Sequence, residues 1–179
     1  MALIAMQLGI LSLVSFADLT LGMLCAHLFA LDPRWLRARA SGAGRHLVLY
    51  DGVCGLCDHS VQLLLEEDRG QVLTFAANQG ETRSEIERRR ELPPADATLV
   101  LLRDYGTPEE RLFERSSAPL EIARLVGGWL GVLALVGRWV PKALRDRVYD
   151  FVARHRYQWF GKFDTCRLPS PQTRARFLN

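Results

Sequence analysis

The hydrophobic and polar positions of this 179-residue chain fall into distinct regimes. The opening "MALIAMQLGILSLVSFADLTLGMLCAHLFAL" is apolar almost throughout, with Asp18 and His27 as its only ionisable side chains. From His46 onward, short apolar runs alternate with polar stretches. "HLVLY" (46–50) reads as a strand of buried type, closed by the turn pair Asp51-Gly52. Val61, Leu64 and Leu65 recur at helical spacing, which predicts a helix from Cys57 to Asp68 that Gly70 ends. "VLTFAA" (72–77) is a second strand, and "ETRSEIERRREL" (81–92) a charged surface helix with Ile86 turned inward. "ATLVLL" (97–102) gives a third strand, and "ERLFERS" (110–116) a fourth, reached through Asp104-Tyr105-Gly106. Pro119 falls in the first turn of the next helix, with Ser117 as its candidate cap. "LVGGWLGVLALVG" (125–137) is too short to span a bilayer, and its four glycines favour a core or interface segment over a long helix. Residues 142–155 form an amphipathic pattern with Leu144, Val148, Phe151 and Val152 on one stripe. With Trp159 and Phe160, that helix is expected to cap the sheet, its apolar residues serving as core.

The order strand, helix, strand, helix, strand, strand, helix predicts an α/β fold: a small mixed sheet covered by helices, in a thioredoxin-like arrangement with a helical C-terminal extension. The expected organisation is an apolar segment (1–36), a polar, glycine-rich joint (37–45) and one domain (46–179) whose helical cap begins at about residue 124. The apolar segment exceeds the roughly 20 residues that a helix needs to cross a bilayer, so it is expected to be transmembrane. A secretory signal fits less well, because no Lys or Arg precedes the run and the run is too long. A lone carboxylate is costly at mid-membrane, so Asp18 should either face other helices or break the run. Arg34, Arg37, Arg39 and Arg45 follow at once, and the positive-inside bias places the following domain on the cytoplasmic side of the cell membrane.

The net charge of +3 conceals an uneven layout: residues 142–179 hold nine Lys and Arg against three Asp, while the middle of the chain is net acidic. The basic tail is interleaved with apolar residues at helical spacing. An anionic membrane surface or a solvated face explains that better than nucleic acid does, and no nucleic-acid partner is expected.

Four cysteines are too few for a disulfide-built scaffold. Cys25 lies in the apolar leader, Cys166 stands alone near the end, and Cys54 and Cys57 form one CxxC directly after the first strand. A CxxC that starts a helix is electrically asymmetric. The Cys54 sulfur sits among unpaired N–H groups at the positive end of the dipole, so its thiolate is stabilised and it is expected to be exposed and nucleophilic. Cys57, a turn further in, is the sheltered resolving thiol. Asp51 either raises the Cys54 pKa by like-charge repulsion or accepts a proton. A metal site is the alternative: Cys54, Cys57, His59 and Cys166, or His155 in place of one, supply four ligands, but the second tight pair usual in structural zinc sites is missing. The expected enzyme is a thiol-disulfide oxidoreductase needing no cofactor, with a disulfide-containing protein or small-molecule disulfide as partner. The alternative is a metal-holding or adaptor domain attached to a membrane protein.

"YDGVCGLC" (50–57) and "RHRYQWFGKFDTCRLP" (154–169) resemble the two signatures of the DCC family of predicted thiol-disulfide oxidoreductases. Arg154, Arg156, Tyr157, Phe160, Gly161 and Cys166 fall on the second pattern, and "FERSSAPLEI" (113–122) and "VPKALRDRVYDFVARHR" (140–156) also match. The resemblance runs from about His46 to Asn179 and implies a thioredoxin-like domain with a Cys54/Cys57 active pair. It implies that Cys166 lies near that pair as a third thiol or ligand; a buried apolar role is the other reading of this residue. Arg156 and Tyr157 are candidates to orient this segment over the site, and Arg156 to lower a thiol pKa. Thioredoxins differ in carrying a proline directly before the third strand and a tryptophan before the first cysteine. Here Pro93 and Pro94 lie upstream of Asp96-Ala97, and Val53 takes the tryptophan position. "LFALDPRWL" (28–36), with the run before it, resembles the last helix of multi-helix membrane domains related to the vitamin K-dependent carboxylase. This implies a membrane-domain partner in a longer parent protein.

Overall fold

The computed structural model describes residues 3–6, 9, 22–23, 26, 46–94, 99–164, 171 and 173–178. The chain divides into two units, Met1–Leu36 and Arg37–Asn179. The described residues of the first unit are helical. Most of the expected membrane-spanning run lies outside the described residues, and among those described no helix is long and apolar enough to cross a membrane.

The second unit is built on a five-stranded mixed sheet in the order β4-β3-β1-β2-β5. β1 (His46–Tyr50) pairs in parallel with β2 (Leu73–Ala77) and antiparallel with β3 (Val100–Arg103). β4 (Arg111–Phe113) closes one edge, and β5 (Phe177–Leu178), after a 3-10 turn, the other. Every residue of β1 is buried, because both faces of the central strand are covered. Leu47 and Leu49 point into a cluster with Ala76, Val100, Leu102 and Ile86, the last from α2 (Glu81–Glu87). Val48 and Tyr50 point to the other face. There Phe75 and Leu101 meet Val61 and Leu64 from α1 (Gly55–Glu67) and Ile122 from α3 (Ser117–Val126). This mixed sheet with its helices fits the thioredoxin-like arrangement.

Several boundaries move. α1 starts at Gly55, two residues before the expected Cys57, because Cys54 itself takes the N-cap position. α2 stops at Glu87 rather than running on to Leu92. Ser116, not Ser117, is the N-cap of α3. Gly127 and Gly128, both at positive φ, then turn the chain into α4 (Gly128–Gly137).

The largest departure concerns α5 (Lys142–Phe160). Its apolar stripe was expected to face the sheet, yet Leu144, Val148 and Phe151 are exposed and Val152 is only half-buried. The inward face instead carries Arg156, which is buried, together with Tyr149 and Tyr157. Tyr149 accepts a hydrogen bond from the Leu99 N–H at 2.9 Å, and Arg156 reaches a buried carboxylate at the end of β1. α4 repeats the theme: only Leu130 and Ala134 are buried, while Trp129, Leu133, Leu135 and Val136 are exposed, so the expected core segment is core along one edge alone.

Candidate dithiol site

The turn after β1 places Asp51, Gly52 and Val53 at the sheet end, and Cys54 enters α1 with extended backbone (φ −95°, ψ 122°). The four amides that open a helix have no partner within it. Here the Asp58 N–H donates to the Cys54 carbonyl (3.0 Å) and the Gly55 N–H to the Gly161 carbonyl (3.2 Å). The Leu56 and Cys57 amides remain for the Cys54 sulfur. That side chain makes no capping hydrogen bond, and the two amides favour its charged form.

Both cysteines are free thiols. The Cys57 S–H donates to the Cys54 sulfur, and this contact outweighs burial to bring the Cys54 pKa from 9.0 down to about 6. The Cys57 and Leu56 amides and the Arg156 charge add to it. The same donated hydrogen bond, with burial and the neighbouring Cys54 and Asp51 charges, pushes Cys57 up. The pair therefore holds one proton, on Cys57, over a broad pH range. The Asp51 charge bears on Cys57, where it opposes ionisation.

Asp51 is the hub beneath this pair. Its carboxylate accepts hydrogen bonds from the Val53 N–H (3.2 Å), Gln79 Nε2 (2.9 Å), Arg156 Nη2 (3.2 Å) and the Tyr157 hydroxyl. Burial works against ionisation, but the bonds from Tyr157, Gln79, Val53 and Arg156 prevail and hold the carboxyl below its ordinary value. A carboxylate so committed is a poor proton acceptor. Arg156 also donates to the Tyr157 hydroxyl (3.0 Å) and the Ala153 carbonyl (2.8 Å). Its guanidinium is thus fixed beside Asp51, and its charge favours the Cys54 thiolate.

The accessibility expected of Cys54 is not there. Cys54 is 0% exposed, whereas Cys57 is half-buried. A strap made by the residues after α5 runs alongside Cys54. Lys162 bridges Cys54 in antiparallel fashion, held by Gly55 N–H to Gly161 O and by Phe163 N–H to Val53 O at 2.8 Å. The Lys162 ammonium lies 5.4 Å from the Tyr157 ring centre. Strap residues 161–164 are themselves exposed.

Of the residues singled out from sequence, Cys54, Cys57, Asp51, Arg156 and Tyr157 therefore meet in one place, while Cys166 lies outside the described residues. His59 is exposed on α1, and His155 stacks between Phe151 and Trp159 on the outward face of α5. Among the described residues no group of three or more potential metal ligands is gathered. Asp96 and Ala97 also lie outside the described residues; the Pro93 carbonyl accepts a hydrogen bond from Arg83. Gln79, the strap and the close approach of its backbone to Gly55 went unforeseen; from sequence, the small size of Gly55 is expected to leave the sulfur approachable instead. Gln79 was within reach of a register argument: Tyr50 pairs with Ala77, so the residues just past β2 flank Asp51 and Gly52. The strap is held by backbone atoms and leaves no such trace.

A family model described as DCC1-like thiol-disulfide oxidoreductase matches residues 48–162. The Bacillus subtilis protein YuxK, itself described as uncharacterized, is 37% identical over 134 residues, covering 74% of this chain and 93% of that protein. A chloroplastic DCC family protein of Arabidopsis thaliana is 32% identical over 124 residues, covering 69% of this chain and 70% of its own. No solved structure matches. The family match starts after the leader, and the resemblance of that leader to a carboxylase-like membrane domain finds no support.

Proposed function

Because this chain belongs to the DCC1-like thiol-disulfide oxidoreductase family, we propose that it exchanges electrons with a disulfide or dithiol partner through Cys54 and Cys57. The carrying observation is the opposed proton affinity of the two sulfurs: Cys54 is brought down to about 6 while Cys57 is pushed up. At neutral pH the first is a thiolate and the second a proton reserve. The thiolate is the attacking form in thiol-disulfide exchange.

In the reducing direction, the Cys54 thiolate attacks one sulfur of the substrate disulfide. A Cys54–substrate bond forms, the substrate S–S bond breaks, and the departing thiolate takes up a proton. Cys54 then no longer carries the charge that accepted the Cys57 S–H, so the chief cause of Cys57's raised pKa is gone. Cys57 gives up its proton to solvent and attacks the Cys54 sulfur. The Cys54–Cys57 disulfide closes, the second substrate thiolate leaves, and two electrons have passed to the substrate. The reverse sequence oxidises a dithiol partner. In either direction the 161–163 strap has to lift from Cys54 before a substrate sulfur can approach in line. Arg156, Tyr157 and Asp51 act as positioning residues, holding a positive charge by the thiolate and fixing α5 to the end of β1.

The partner carries a disulfide; the half-buried Leu56 beside Cys57 offers it an apolar contact, as a protein or an apolar small disulfide would use. The test is single-turnover exchange with glutathione disulfide, read by intact mass. Cys54→Ser is expected to abolish exchange, and Cys57→Ser to accumulate a glutathione adduct on Cys54. Adduct formation at equal rates in wild type and both variants would rule the mechanism out.

A further inference from the structure

α5 has two faces with opposite commitments. The inward one supplies Arg156 and Tyr157 to the dithiol site. The outward one carries Leu144, Val148, Phe151, His155 and Trp159, residues that a pitch of 3.6 per turn sets along one side. No charged residue interrupts that row. Val148 is 57% and Phe151 49% exposed, and the Phe151, His155 and Trp159 rings pack against one another. A helix normally turns such a stripe to the core. Single exposed apolar residues are ordinary, but a continuous row of them marks a binding surface. Just before this helix stands Trp139, 86% exposed, and before it the exposed apolar side chains of α4.

The charges beside the row say what covers it. Arg147 and Arg154, two helical turns apart, run along one flank, Arg145 lies on the other, and Arg138 precedes the helix. None of these four makes an ion pair among the described residues. The two acidic side chains of α5 are already answered, Asp146 by Lys142 and Asp150 by Arg115. The occupant must therefore be apolar at the centre and anionic at the rim. A second copy of the chain would bring the same positive rim against itself, which disfavours a symmetric pair. Exposed tryptophans, an apolar row along a helix and, at its edges, arginines without an ion pair among the described residues match the boundary of an anionic bilayer, where indole rings and arginines sit at headgroup level.

We propose that the outward face of α5 docks the domain on an anionic lipid surface, lying in the interface plane rather than crossing it. Since the dithiol site uses the opposite face, docking leaves that site free. The experiment is co-sedimentation of the full chain with vesicles of phosphatidylcholine mixed with phosphatidylserine, and with vesicles of phosphatidylcholine alone. Comparing variants within the full chain separates this face from any affinity of the leader. The wild type is expected to prefer the anionic vesicles, with a blue shift of tryptophan emission on binding. Arg147→Glu with Arg154→Glu should weaken anionic binding by at least about twentyfold, roughly fivefold for each charge near the surface. Phe151→Glu should weaken it comparably, with exchange through Cys54 retained as the check on folding. Equal binding by wild type and variants would overturn the proposal, as would equal binding to neutral and anionic vesicles. So would a stable dimer that Phe151→Glu dissociates without any lipid binding.

Discussion

Gly55 offers the sharpest test of how Cys54 is reached. A β-carbon built there would lie 2.1 Å from the Phe160 carbonyl oxygen and 3.1 Å from its carbonyl carbon. These are backbone atoms at the end of α5, so no side-chain rotation relieves the overlap. Gly55→Ala therefore drives the Phe160–Phe163 backbone away by roughly 1 Å to recover ordinary contact. The Gly55 N–H to Gly161 O bond, already 3.2 Å long, is lost, and the Phe163 N–H to Val53 O bond is strained. At about 1 kcal/mol net per backbone hydrogen bond, the closed strap loses about 2 kcal/mol relative to the open one, or roughly 30-fold in the open-to-closed ratio. Local opening precedes modification of a sealed sulfur, so the rate should follow that ratio. The assay is a timed pulse of iodoacetamide at neutral pH, with Cys54 and Cys57 quantified separately by peptide mass. Cys54 is expected to alkylate ten- to thirtyfold faster in Gly55→Ala. Phe163→Pro, which removes one donor only, should give about fivefold. If both folded variants modify Cys54 no faster than wild type, the strap is not the barrier and the route to the sulfur is misread.

Other consequences follow from the same cluster. In wild type the pH profile of Cys54 alkylation should have its midpoint at about 6, and Arg156→Gln should move it upward by about one unit by removing a neighbouring positive charge. Asp51→Asn leaves the buried Arg156 without its countercharge and should cost about 3 kcal/mol in urea unfolding; a loss below about 1 kcal/mol, the scale of a surface pair, would contradict the buried hub. The reduced protein should gain stability as pH rises from about 6 to 9.0. In that window the unfolded chain keeps both thiol protons and the native pair only one. Above it, stability should fall again, because the native Cys57 still holds a proton that the unfolded chain has lost. Cys54→Ser should flatten the rise, which urea titrations across the range would reveal.

Much of the site was readable in one dimension because its parts are local. "HLVLY" is buried on both faces and delivers Asp51 and Cys54 to one end of the sheet, and CxxC at the start of a periodic run places two sulfurs one turn apart. Arg156 and Tyr157 entered through resemblance to a family pattern rather than through spacing, since 105 residues separate Arg156 from Asp51. The burial of Cys54 went the other way from the sequence expectation. A helix-start argument fixes the electrostatics of a sulfur and says nothing of a strand-like segment that returns from a distant helix to cover it.

The sequence by itself determined the order of the first four strands and the helices between them, the asymmetric dithiol and the amphipathic nature of residues 142–155, but not the edge strand at Phe177–Leu178. Periodicity establishes that a helix has two unlike faces; which of them is buried depends on what the rest of the molecule offers each. In this fold the end of β1 presents a buried carboxylate that needs a guanidinium, and satisfying it turns Arg156 and Tyr157 inward and the apolar row of α5 outward. Only the tertiary structure could decide that, because an unanswered buried charge costs more than a stripe of exposed Leu, Val and Phe.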